Sequence, residues 1–393
     1  MDPTTIKFLD RRKSPLLKNI VYVFVVILIS DFVSANIYKF FMGYAWTERA
    51  AVIFQSRERL FRRLSKIYHH DLAKKVHVPN ALWGNLKYEI FTNSLGFKDK
   101  SYREVPLVSI SYRIVFIGDS FTEGIGMDYP NTFVGLIDKE LSKKGIEVLN
   151  AGVNTYSPII YWRKVKYLIE ELGLQFNELV VFLDISDAED DVKNYTLDDQ
   201  GNVILLESSE PVAAKGKTKN QQGKLKNFIK TNSFLTYHLL NMIYDFLSSH
   251  QIIARESRSN LTRGTWTFDK TIYDDWSHRG LEKMETHMDK LYELLNKHHI
   301  KLTVAVYPWP SQIYAGDLNS VQVQFWKKWC AQHHVNFINY FSYFVKGNAE
   351  KERLQLIDQY FIEDDVHWNK RGHQMIANIF LSHYTEFQKQ IPN

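Results

Sequence analysis

The sequence predicts an α/β protein built on a parallel β-sheet with helices on both faces, preceded by a single N-terminal transmembrane helix. Three observations carry that expectation. Five short apolar runs alternate with helical patterns between residues 113 and 338. A seventeen-residue segment near the N-terminus, 19–35, holds a single charged residue. One of the apolar runs, RIVFI at 113–117, feeds straight into Gly118-Asp119-Ser120.

The N-terminal segment reads NIVYVFVVILISDFVSA, with Asp31 as its one charge. A helix of that length just crosses the roughly 30 Å hydrocarbon layer of a bilayer. Lys7, Arg11, Arg12, Lys13 and Lys18 precede it, so residues 1–18 form a basic tail of cytoplasmic character. The segment reads as a signal-anchor. Val33-Ser34-Ala35 leaves a cleaved signal peptide open, and a buried helix is the third reading. The bulk of the chain is expected outside the cytoplasm, although Arg57, Arg59, Arg62 and Arg63 follow the span.

Residues 36–105 show no clear strand pattern. QSRERLFRRLSKIYHH, residues 55–70, reads as an amphipathic helix of a stalk, on which His69 and His70 point apart and hold no metal. The 393 residues carry a net charge of +5, with lysines and arginines scattered rather than striped, so nucleic acid is not an expected partner. The single cysteine, Cys330, excludes an intramolecular disulfide.

A single domain is expected over residues 106–393, and from 113 onward its pattern is regular. Apolar runs at 113–117, 146–149, 179–184, 302–307 and 335–338 are separated by helical patterns at 131–144, 159–173, 281–299 and 319–333. Strands apolar on both sides that alternate with helices indicate a parallel sheet covered on both faces. Such sheets place their sites at the carboxyl ends of the strands. Residues 188–280 interrupt the alternation as an insertion: a lysine- and glutamine-rich loop (213–226), an apolar helical run (FLTYHLLNMIYDFL, 234–247) and TWTFDKTIYDDW (265–276). Trp266, Phe268, Tyr273 and Trp276 read as the small core of this insertion, an aromatic platform for a sugar being the alternative.

A serine hydroxyl becomes a nucleophile when a histidine takes its proton and a carboxylate orients that histidine. Ser120 ends the first strand run, and IEDDVHWNKRGH near the C-terminus offers His367 with Asp364 three residues before it. The competing reading makes Asp364 and Ser120 helix caps. Asp184, Asp187, Asp190 and Asp191 match no calcium-loop spacing, so no metal is expected. In AVYPWPSQIY (305–314) the prolines stiffen a strand-end loop carrying Trp309 and Gln312, either a substrate wall or a structural corner. His373 reads as a helix-surface or packing histidine.

Gly118-Asp119-Ser120 followed by Phe121, the glycine of NAGVNTYSP and the C-terminal D-x-x-H together resemble the SGNH (GDSL-type) hydrolase superfamily over about residues 105–393. NSLGFKDK, residues 93–100, is similar to the lead-in of bacterial SGNH proteins tied to surface polysaccharides. The resemblance implies a three-layer α/β/α sandwich with a flavodoxin-like parallel sheet. It implies Ser120 as nucleophile, His367 as base and Asp364 as the orienting acid. It implies an oxyanion hole from the N–H groups of Ser120 and Gly152 and an asparagine side chain. Ser186 stands where that asparagine is expected in VVFLDISDAEDD, which leaves Ser186 or Asn154 as the third donor. Loss of one such donor costs about 2.7–4 kcal/mol of transition-state stabilisation.

The implied activity is hydrolysis of O-acyl, chiefly O-acetyl, esters of a cell-envelope glycan or lipid outside a bacterial inner membrane. Two alternatives stand beside it. One is an O-acetyltransferase served by a multi-span acyl-donor partner; the other is a non-catalytic scaffold of a polysaccharide assembly complex. Triad chemistry requires no cofactor.

Overall fold

The computed structural model describes residues 15–42, 60–83, 86–206, 228–229, 232–237, 239–240, 262–344, 349–363 and 365–389. The chain divides into two compact units, Met1–Gln55 with Ala213–Arg255 and Ser56–Val212 with Glu256–Asn393. In the first unit, helix α1 (Pro15–Met42) is longer than the expected 19–35. Its stretch Tyr22–Phe41, with mean hydropathy 1.7, is long and apolar enough to span a membrane or serve as a signal sequence.

In the second unit, β1 (Arg62–Ser65) and β2 (His69–Leu72) form an antiparallel hairpin. This replaces the helix expected over 55–70, within its described residues. The arginines that gave that segment a polar helical face do not share one environment, because Arg62 is buried whereas Arg63 is exposed. Strands β3 (His77–Trp83), β4 (Leu86–Thr92) and β5 (Lys98–Asp99) follow, in a region that showed no strand pattern. Next come β6 (Arg113–Gly118), β7 (Glu147–Asn150), β8 (Glu178–Leu183), the hairpin β9 (Tyr195–Leu197) and β10 (Val203–Leu205), β11 (Lys301–Val306) and β12 (Asn336–Asn339).

Eight strands form one sheet in the order β12-β11-β8-β6-β7-β5-β4-β3. The five strands from β12 to β7 are parallel, as the sequence pattern indicates. β5, β4 and β3 extend it antiparallel beyond β7. Every residue of β6 and β8 is buried, so both faces of the sheet are covered.

The main helices are α2 (Ser120–Glu123), α3 (Phe133–Leu141), α4 (Pro158–Lys166), α5 (His278–Lys297), α6 (Pro310–Ala315), α7 (Val321–Gln332), α8 (Glu350–Tyr360) and α9 (Lys370–Lys389). α9 packs on α3 and α5 on α4. The carboxyl ends of β6, β7, β8 and β11 share one edge, and from that edge the segments beginning at Asp119, Ala151, Asp184 and Tyr307 emerge.

Of the insertion, residues 213–226 lie outside the described residues, as does much of 234–247. Trp266 and Trp276 are buried in the core, and Phe268 is exposed.

Candidate active site

The site begins where β6 stops. Gly118 admits no larger residue, since a Cβ there would sit 2.2 Å from Thr122 Oγ1 and 2.9 Å from the Phe182 carbonyl. Asp119 then caps α2, its Oδ1 accepting the Phe121 N–H at 3.0 Å. Ser120 is therefore the first helical residue, and its own N–H donates to no acceptor among the described residues.

His367 reaches it from the other end of the chain. The segment is pinned by the Phe361–Trp368 bridge and by the Ile362 N–H donating to the His367 carbonyl at 2.9 Å. His367 Nε2 lies 2.8 Å from Ser120 Oγ, and both side chains are buried. His367 Nδ1 lies 2.6 Å from Asp365 Oδ1, which also accepts the His367 backbone N–H at 3.1 Å. A carboxylate on Nδ1 holds the proton there and leaves Nε2 to accept from the serine. Asp364, the expected acid, lies outside the described residues; the carboxylate that meets His367 is that of Asp365.

Asp365's second partner carries no signal in the sequence: it is Trp83 of β3, whose Nε1–H donates to Oδ2 at 2.6 Å. Burial alone would raise the Asp365 pKa, but the bonds from His367 and Trp83 outweigh it and hold the carboxyl below its ordinary range. The imidazole is also fixed by rings. Trp83 meets it edge-on at 5.2 Å and Phe121 lies 4.8 Å away.

Ser120 Oγ also lies 3.1 Å from Asp119 Oδ2. Burial, and then the charge of Asp184, raise Asp119 well above the usual carboxylate range. Asp119, Asp184 and Asp187 place one oxygen each within 4.8 Å of one another. Protein donors converge on all three: the Tyr307 hydroxyl on Asp119 (3.2 Å), Trp309 Nε1–H on Asp184 (2.7 Å) and the Tyr161 hydroxyl on Asp187 (2.9 Å). Asp190 pairs with Arg263, and Asp191 accepts from Ser157 and meets His287.

Two expected oxyanion donors are committed elsewhere. The Gly152 N–H donates to Asn150 Oδ1 at 3.1 Å, and the Ser186 hydroxyl donates to Asp184 Oδ1 at 2.6 Å. Asn154 donates its backbone N–H to Glu123 Oε2 at 2.7 Å, while its half-buried side-chain amide makes no hydrogen bond among the described residues. Glu123 is held in turn by a two-pronged guanidinium contact from Arg62, at 2.7 and 2.8 Å, with both side chains fully buried. The β1 strand thus fixes the 152–155 loop to the helix that presents Ser120. His70 supports the same loop, its Nε2 lying 2.8 Å from the Asn154 carbonyl. His69 and His70 do not point apart. Positive φ at His69 brings the two Nδ1 atoms to 2.7 Å.

Trp309 and Gln312 form a corner rather than a wall. Both are buried, and Gln312 bonds the Trp309 N–H and the Thr267 and Ser320 hydroxyls. Their neighbours Pro310, Ser311 and Tyr314 instead line a cavity of about 1000 Å³ that Phe361, Ile362 and Asp365 close on the other side. His373 is a packing residue, buried and accepting the Phe133 N–H on Nδ1 at 3.1 Å.

No protein-family model matches the chain. No curated protein matches it either. Among solved structures it is similar to the esterase EstA from Pseudoalteromonas sp. (10% identity, 71% of this chain and 99% of that one, TM-score 0.38). It is also similar to a putative lipolytic protein of the G-D-S-L family from Desulfitobacterium hafniense (12% identity, 68% and 97%, TM-score 0.34). A third is the acetyl xylan esterase AlAXEase (14% identity, 69% and 98%, TM-score 0.38). Likenesses this distant assign no activity to the chain.

Proposed function

We propose that the chain is a serine-dependent ester hydrolase of the SGNH type, tethered by α1 with its second unit on the outer side of a bacterial inner membrane. It acts on O-acyl, chiefly O-acetyl, esters of a cell-envelope glycan or lipid. The observation that carries the reading is the unbroken run Ser120 Oγ–His367 Nε2 (2.8 Å) and His367 Nδ1–Asp365 (2.6 Å) at the carboxyl end of a buried parallel strand.

Ser120 Oγ attacks the ester carbonyl as His367 takes its proton, and Asp365 stabilises the imidazolium that forms. The Ser120 N–H and the Asn154 amide are the donors left to meet the oxyanion. Collapse breaks the C–O bond, and His367 returns the proton to the departing sugar or lipid hydroxyl. Water, deprotonated by His367, then releases the acid and restores the serine. The cavity beside Asp365 holds the non-acyl part of the substrate.

The test is acetate release from p-nitrophenyl acetate by the full chain and its Ser120→Ala and His367→Ala variants. Activity lost in both supports the reading; equal background rates in all three overturn it.

A further inference from the structure

In the first compact unit, the one charge of residues 19–35 is not exposed. Asp31 is 5% exposed, while its neighbours Ile27, Phe32 and Val33 are between 43% and 47% exposed. The cover comes from the long insertion. Asp31 Oδ1 accepts the N–H groups of Phe234 and Leu235 at 2.7 and 2.9 Å, and Oδ2 accepts the Thr236 N–H and hydroxyl at 2.9 and 2.8 Å. Three successive amides at the start of a helical turn are thereby capped by a carboxylate from another part of the chain.

Further contacts run along the same face of α1. Phe228 stacks on Phe32 with centroids 6.0 Å apart, Phe234 meets Tyr38 edge-on at 5.9 Å, and Ala35 is completely buried. Asn232 and Ser233 make side-chain bonds of helical spacing, to the Phe228 and Ile229 carbonyls. The outer side of this segment is apolar: Leu235 is 64% exposed, Leu239 50% and Leu240 47%. Most of α1 from Tyr22 to Phe41 is likewise apolar and exposed, with Ser30, Ser34 and Lys39 as its exposed polar residues.

Such a largely apolar exterior is unfavourable in water. In hydrocarbon the demand reverses: apolar side chains face outward, and every buried carboxylate and amide must find a partner inside the protein. Asp31 and residues 234–236 satisfy each other in that way. We propose that the insertion's residues Phe234–Tyr237, Leu239 and Leu240 enter the membrane beside α1, so that the insertion returns to the bilayer and the anchor is a two-segment unit facing acyl chains. A segment of this length falls short of the ~20 residues needed to cross, so it lies in the interface or re-enters. The proposal rests on the reading of α1 as a span.

The test uses the full chain in a Cys330→Ala background with single cysteines at Ile29, Leu239 or Ile204, the last exposed on the second unit. Each is labelled with an environment-sensitive fluorophore and reconstituted into phosphatidylcholine–phosphatidylglycerol vesicles with brominated acyl chains. Quenching at 29 and 239 but not at 204 is the expected result. Quenching at 29 without quenching at 239 overturns the proposal and leaves the span standing. No quenching at any position removes the span and the proposal together. With Asp31→Leu added, quenching at 239 is expected to fall while that at 29 persists; unchanged quenching at 239 overturns Asp31 as the tie.

Discussion

Glu123 is the hub that joins the helix of Ser120 to the 152–155 loop, and its neutralisation gives a stability prediction with a large magnitude. Glu123→Gln keeps the shape and can still accept the Asn154 N–H. It removes the carboxylate that grips Arg62 on two prongs, a guanidinium with no exposed side-chain surface, and turns an amide N–H₂ toward its donors. Breaking a buried ion pair from one side costs about 3–5 kcal/mol, because the remaining charge is stranded in the interior. Urea unfolding of the second unit, followed by tryptophan fluorescence at pH 7, reads this as a lower midpoint at unchanged slope. Pairing Glu123→Leu with Arg62→Met is expected to recover part of the loss, since both charges of the pair are gone while the Asn154 N–H loses its acceptor. A loss below about 1 kcal/mol for Glu123→Gln, the value of a solvated surface pair, would refute the argument.

Other expectations are narrower. Asp365→Asn should lower kcat on p-nitrophenyl acetate by about 10⁴-fold at similar KM, as loss of the orienting carboxylate does in serine triads, whereas Asp364→Asn should retain activity; the reverse ranking would restore Asp364. Trp83→Phe removes a bond to a charged group worth about 1.5–3 kcal/mol, so kcat should fall roughly ten- to a hundred-fold in a folded protein. His373 is held neutral by burial, its pKa pushed down to about 3. The folded state therefore binds fewer protons than the unfolded one, and this stability is complete above about pH 6.5 and lost as pH falls toward 3. Relative to His373→Gln, which can also accept the Phe133 N–H, the natural protein should lose about 2 kcal/mol between pH 7 and 5. A pH-independent difference in urea midpoints would contradict this.

The five parallel strands were legible because burial on both faces writes continuous apolar runs, as in RIVFIG and ELVVFL. The edge strands were not, because only alternate residues of β4 are buried, Tyr88, Ile90 and Thr92, with Glu89 and Phe91 half-exposed between them, so no continuous apolar run marks it. Ser120 and His367 could be read from local motifs. Asp365 could not be separated from Asp364 by spacing, since two adjacent aspartates both precede the histidine and only the turn decides which faces its ring. Trp83 and the Arg62–Glu123 pair join residues 282 and 61 positions from their partners, a distance at which no pattern in the sequence operates. The acceptors of the Gly152 N–H and the Ser186 hydroxyl escape a motif for a different reason. Asn150 and Asp184 are two residues away and claim those hydrogens locally.

The central claim is that Ser120 is an activated nucleophile. The direct measurement is covalent labelling of the full chain with a fluorophosphonate, with the adduct located by peptide mass spectrometry. Phosphonylation is expected at Ser120, absent in Ser120→Ala and strongly slowed in His367→Ala and Asp365→Ala. An unlabelled Ser120 under conditions that label a known serine esterase, or labelling at equal rates in the His367 variant, would contradict it.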